Sequence, residues 1–182
     1  MPQQVFGYRV FFGSPGGLND ERTRFREIVS EYNETDALEN GVLFMPIGWE
    51  LTLRGMGRPQ KLINEDLRRS DYCVFLLHDR WGSPTSESGQ FSSGTEEEYL
   101  LARELFRAGN MLDLLVFFKA IEPSRLSDPG PQLQKVLNFK RQLEEAKELL
   151  FDTYSEIDYF EKAMRKHLSA WTRNHLKQQP TK

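Results

Sequence analysis

The sequence predicts a three-layer α/β/α domain built on a five-stranded parallel sheet. Three observations carry this. Five strand-like segments alternate with helix-like segments along the chain, the order expected of a parallel sheet with crossover helices. Tyr72–Leu77 is a near-continuous apolar run, as in a strand covered on both faces. Polar and glycine-rich clusters follow the first and third strands, at Gly13–Gly17 and at 78–94. Five strands favour the flavodoxin-like order 2-1-3-4-5, whose switch point lies between strands one and three, so both clusters open on one crevice.

The elements follow in order. Residues 8–12 (Tyr-Arg-Val-Phe-Phe) form the first strand, and Gly13-Ser14-Pro15-Gly16-Gly17 a tight turn. Asn19 is the expected N-cap of the first helix, with Asp20 and Glu21 in its first turn. Phe25, Ile28, Val29 and Tyr32 repeat at helical spacing and mark its buried face. A polar connection over 33–41 leads to the second strand, Val42–Ile47, which ends in Gly48-Trp49-Glu50. A loop carrying Arg54, Gly55, Gly57 and Arg58 precedes Pro59, which suits the first position of the second helix. After Tyr72–Leu77 come His78-Asp79-Arg80-Trp81-Gly82-Ser83-Pro84-Thr85 and a stretch to Ser93 with the composition of a mobile loop. The third helix is expected over 95–108, stopped by Gly109-Asn110, and the fourth strand over 112–118. A polar loop (124–131), a helix ending near Glu148, a short strand (149–154) and a last helix marked by Phe160, Met164, Leu168 and Trp171 complete the domain. One domain is expected over 1–176, with a polar tail over 177–182 that frays.

Composition narrows the function. A chain of 182 residues with 38% apolar and 28% charged residues is globular. A net charge of −3 argues against phosphate neutralisation, so no nucleic-acid partner is expected. One cysteine and three scattered histidines give neither a disulfide framework nor a metal cluster. No apolar run spans a membrane and no signal pattern opens the chain, so a cytoplasmic setting is expected. Cys73, inside the apolar run, is expected to be a buried packing residue.

The chemistry concentrates in Ser93-Gly94-Thr95-Glu96-Glu97-Glu98. Glu98 lies three, four and seven residues before Leu101, Ala102 and Leu105, so helical register turns it inward, one turn from the crevice. Glu96 and Glu97 point to the sides and are expected to be solvated. Two readings of Glu98 stand side by side. It is a functional carboxylate, or it completes a Thr95-x-x-Glu98 capping box by bonding back to the Thr95 amide. The Gly13–Gly17 turn offers backbone amides to a phosphate, with Ser14 adding a hydroxyl; the alternative is that its glycines serve backbone geometry. Arg54, Arg58 and Arg80 are candidate anion partners. Trp49 and Trp81 are candidate aromatic walls, with packing as the alternative for each.

These motifs resemble those of the DUF4062 domains, a TIR-like family. Arg9 to Arg22 looks like the family's opening, and Gly57-Arg58-Pro59-Gln60 with Asn64, Ser70-Asp71-Tyr72 with Arg80-Trp81-Gly82, and Ser93 to Glu98 follow in the family's order. Gly94-Thr95-x-x-Glu98 is similar to the helix bearing the catalytic glutamate of nucleoside 2-deoxyribosyltransferases, and TIR-type NAD glycohydrolases hold a glutamate on the corresponding helix. The resemblance implies Glu98 as catalytic carboxylate. It also implies the Gly13–Gly17 turn and Asp79, Arg80 and Trp81 as parts of the pocket; the expected substrate-binding residues are Gly13, Ser14, Pro15, Gly16, Trp49, Arg58, Asp79, Arg80, Trp81, Ser93 and Thr95. Gly17 stands where relatives commonly have Asp, and Ser92-Ser93 replaces the Asp-Ser pair of the transferases. The implied activity is an N-glycosidase cleaving NAD to nicotinamide and an ADP-ribose product, with no metal and no cofactor beyond the substrate. The alternatives are a non-catalytic self-association or adaptor module of a larger protein, and a deoxyribosyltransferase-like enzyme. The implied partners are a nucleotide and further copies or domains, in a defence or signalling setting.

Overall fold

The computed structural model describes residues 4–48, 59–85 and 89–178. Trp49, Arg54 and Arg58, three of the residues expected near the crevice, lie outside them, as do 86–88 of the loop. The elements are β1 (Phe6–Gly13), α1 (Asn19–Tyr32), β2 (Val42–Ile47), α2 (Pro59–Arg68), β3 (Tyr72–Leu77), α3 (Gly94–Arg107), β4 (Asp113–Lys119), α4 (Pro123–Leu126), α5 (Pro131–Ala146), β5 (Phe151–Tyr154) and α6 (Ile157–Gln178). The strands form one parallel sheet in the order β2-β1-β3-β4-β5, as expected.

The pleat divides the core. Val10 and Phe12 of β1, Val74 and Leu76 of β3, and Leu115 and Phe117 of β4 pack on α1 and α6. Their neighbours Phe11, Cys73, Phe75, Leu77, Val116 and Phe118 face the other way, against α2, α3 and α5. Every residue of β3 is buried, which is why this central strand reads as an unbroken apolar run. Pro46 is tolerated in β2 because that strand lies at the sheet edge, where a missing N–H costs no ladder bond. Among the described residues no helix is long and apolar enough to cross a membrane.

Several local expectations are corrected. The N-cap of α1 is Leu18; Asn19 is already helical, and no side chain caps this end. The polar connection after α1 is not irregular: the helix widens through Asn33–Ala37, tightens at Leu38–Asn40 and stops at Gly41. Asn33 is buried there because its amide replaces a strand partner. It donates to the Phe44 carbonyl (2.7 Å) and accepts from the Phe44 amide (2.9 Å), pinning the helix end to β2. A short helix, α4, occupies part of the proline-containing loop. The expected tail begins inside α6, which continues to Gln178.

Candidate functional site

The sheet order places the loops after β1 and β3 side by side. Gly13 ends β1 beside Phe75 of β3, and a Cβ at 13 would lie 2.5 Å from the Phe75 ring. Close approach therefore requires glycine at 13. Gly17 has φ 94°, a left-handed conformation that favours glycine, and the Arg80 side chain runs alongside it, with Cδ and Nε 3.8 Å from where a Cβ would sit. So Arg80, exposed on the loop after β3, meets the glycine turn. Gly16 is exposed with open space around it.

The cation that organises the turn from below is Arg22. It is 6% exposed. Its Nε donates to the Ser14 hydroxyl (2.8 Å), and Nη2 donates to the carbonyls of Ser14 (3.0 Å) and Pro15 (2.7 Å). Ser14 and Pro15 are thus fixed by an ion held inside the protein. The sequence contained the signal: Arg22 falls on the stripe of Leu18, Phe25 and Val29, where a charge is unexpected without a built partner.

Helix α3 begins differently from the Thr95 capping box. Its N-cap is Ser93, whose hydroxyl accepts from the Glu96 amide (3.1 Å), and Glu96 reaches back to the amide (2.5 Å) and hydroxyl (2.7 Å) of Ser92. The cap residues therefore sit two positions earlier than expected. Ser93 is fully buried and Thr95 nearly so. Glu98 takes no part in capping. It is 8% exposed and its Oε1 accepts from Gln60 Nε2 of α2 at 2.9 Å. Glu97, expected in solvent, is buried too: it accepts from Asn64 Nδ2 (2.8 Å) and Thr85 Oγ1 (2.8 Å). Helix α2 packs over this flank of α3, which register within α3 alone does not reveal.

Burial pushes the Glu98 carboxyl up to about 7. The Gln60 hydrogen bond acts against that rise, the Glu97 charge adds to it, and the Arg22 charge opposes it. Burial, with the Glu98 charge behind it, also drives the Cys73 thiol well above its ordinary value, so this buried thiol is inert. Among the described residues no group of three or more His, Cys, Asp or Glu side chains gathers as a metal site.

Two expected pocket residues are otherwise engaged. Asp79 accepts from Arg125 Nη1 of α4 at 2.8 Å; burial favours its acid form, but Arg125 and His78 hold it below its usual range. Trp81 is 5% exposed. Its ring packs on Phe139 at 5.2 Å, its Nε1 donates to Ser92 (2.7 Å), and its amide donates to Gln132 of α5 (2.8 Å). Its indole is a core element that fixes the loop after β3, leaving almost no face for a ligand. Its small exposed edge is part of the lining of a groove of about 340 Å³ between α3 and α5, with Glu96, Tyr99, Arg103, Lys135 and Phe139 around it. Of those α3 residues, Glu96 and Arg103 lie on the far side of the helix from Glu98 and Tyr99 about a quarter-turn from it.

The fold and this geometry define the class: a flavodoxin-like α/β domain with a buried carboxylate, Glu98, on the helix that follows its central strand. The model of the family described as Domain of unknown function (DUF4062) matches residues 9–169, and the chain belongs to that family. In structure it is similar to the TIR domains of the activated Roq1 resistosome directly recognizing the pathogen effector XopQ. That likeness has 14% sequence identity and a TM-score of 0.45, and covers 87% of this chain and 78% of that chain. No curated protein matches the sequence.

Proposed function

We propose that this domain is a nucleotide N-glycosidase with NAD as substrate and Glu98 as the catalytic carboxylate. The observation that supports this best is the environment of Glu98. A carboxyl group released from capping, buried one turn into α3 and poised near pH 7 is costly to fold around and suited to acid–base or covalent work at neutral pH. The reaction breaks the bond between the ribose anomeric carbon and the nicotinamide nitrogen. Nicotinamide leaves with the bonding pair, which cancels its positive charge, so no general acid is needed. Glu98 stabilises the oxocarbenium-like sugar or traps it covalently, and water then supplies the hydroxyl of the ADP-ribose product, its proton passing to solvent. The cationic substrate itself favours the carboxylate form of Glu98 on binding. In this reading the Gly13–Gly16 turn and Arg80 contact the phosphates, Arg58 and Trp49 are further candidate contacts from the sequence, and no metal is required.

The test is release of free nicotinamide from NAD at high protein concentration, under conditions that permit self-assembly. The parent is expected to release it, and Glu98→Gln to do so at least about 100-fold more slowly. No release from the parent removes the enzyme reading, and an undiminished Glu98→Gln removes the residue assignment. A second reading, a non-catalytic assembly or adaptor module, draws on the Gln60 contact, which already occupies one oxygen of a carboxylate that is only 8% exposed. It predicts concentration-dependent assembly without nicotinamide. Base exchange between nucleosides without NAD loss would point instead to the deoxyribosyltransferase chemistry.

A further inference from the structure

We infer that Gln60, Asn64 and Glu97 are positioning residues that orient the Glu98 carboxylate through one directional chain of hydrogen bonds. This rests on the assignment of Glu98 above, but its geometry is independent of the substrate. Thr85 Oγ1 and Asn64 Nδ2 both donate to Glu97, each at 2.8 Å; Gln60 Nε2 donates to Asn64 Oδ1 at 3.2 Å and to Glu98 Oε1 at 2.9 Å. Gln60 and Asn64 are one turn apart on α2, Glu97 and Glu98 adjacent on α3, and all four are at most 9% exposed.

The direction of this chain is set at Glu97. An amide side chain has a donor end and an acceptor end of nearly equal shape, and its neighbours decide which way it faces. A carboxylate accepts only. Asn64 must therefore turn its NH₂ to Glu97, which leaves its carbonyl oxygen for Gln60. Gln60 must then turn its own NH₂ inward, and the second hydrogen of that group reaches Glu98. If the chain were reversed, Gln60 would present an oxygen to Glu98, which favours the protonated acid over the carboxylate. Space enforces the contact as well. A Cβ at Gly94 would lie 2.7 Å from Gln60 Oε1 and 3.0 Å from Thr85 Cγ2, so glycine at the start of α3 admits the Gln60 amide. Among the described residues the charged groups bearing on Glu98 are Glu97 on its own helix and Arg22 of α1, and the Glu98 charge in turn bears on Cys73 of β3. Removing Glu97 would alter both its through-space charge and the chain, in opposing directions. Asn64 carries no charge and does not touch Glu98, so it isolates the relayed effect.

The experiment is a pH titration of the Glu98 carboxyl by carbon NMR of glutamate-labelled protein, the signal assigned by its loss in Glu98→Gln. The parent midpoint is expected at about 7. Gln60→Leu and Asn64→Leu are each expected to raise it by about one unit. A merely structural Asn64 would leave it in place: an unmoved midpoint in Asn64→Leu, with a shifted one in Gln60→Leu, overturns the proposal. If the variants do not fold, the side-chain amide signals of the parent decide. The Gln60 and Asn64 NH₂ resonances are expected to follow the Glu98 midpoint, and an Asn64 signal flat across it overturns the proposal. Neither readout needs a substrate. Failure to cleave NAD therefore leaves this inference standing, and a cleaving enzyme with an insensitive Asn64 defeats this inference alone.

Discussion

Glu98 costs the folded chain stability that its neighbours only partly restore. Burial favours its acid form, so the folded protein holds this proton to about pH 7, whereas the unfolded carboxyl releases it near 4.5. Between those values the native state binds more protons than the unfolded one, and stability falls as pH rises. The shift corresponds to at most about 3 kcal/mol. Glu98→Gln keeps an oxygen for the Gln60 donor and removes the titration. Urea unfolding is expected to show the variant more stable than the parent by up to about 3 kcal/mol at pH 8, and the difference to vanish below pH 4.5. Equal stability at both pH values would contradict the buried, strained carboxylate. Arg22 shows the complementary case. Its charge is tolerated inside because Ser14 and Pro15 supply acceptors, a partnership invisible in the local sequence except as an arginine on an apolar stripe.

Helix α3 separates two jobs that its sequence offers to one residue. Capping falls to Ser93 and Glu96, which leaves Glu98 to accept from Gln60 of α2. Ser93→Ala removes the acceptor for the Glu96 amide and is expected to cost about 1 kcal/mol in denaturant unfolding. Thr95→Ala removes no cap bond and is expected to escape that loss. The inward register of Glu98 was legible because the 3.6-residue period belongs to the helix alone. The burial of Glu97 was not, because it depends on α2 lying across that flank with Asn64 at the right height, 33 residues away in the chain. In α1 the expected Asn19 cap is displaced as well: Leu18, buried in the core, takes the N-cap position, and Asn19 is already within the helix.

Across the molecule, α6 locks the sheet from the face opposite the Glu98 site. Trp171 stacks on Tyr72 of β3 with ring centroids 4.0 Å apart and donates from Nε1 to Asp113 of β4 at 2.8 Å, so it joins the two central strands. Arg24 of α1 is bound to Glu161 of α6, and Arg165 bridges Glu161 and Glu31, tying both helices of that layer together. Trp171→Ala opens a cavity under the whole layer and is expected to lower stability by about 3–5 kcal/mol, read as an earlier urea midpoint with the slope retained. The sequence by itself determined the five strands, their parallel order, the burial of Cys73 and the inward turn of Glu98. Each of these follows from periodicity or from chain connectivity, which are properties of neighbouring residues. Only the tertiary structure decided that Ser93 caps α3, that Arg22 underlies the glycine turn, that Trp81 packs inward, and that Gln60 and Asn64 meet the two glutamates. Those are choices among hydrogen-bond and packing partners, and most of them are made when α1, α2 and α5 come to rest around the loops after β1 and β3.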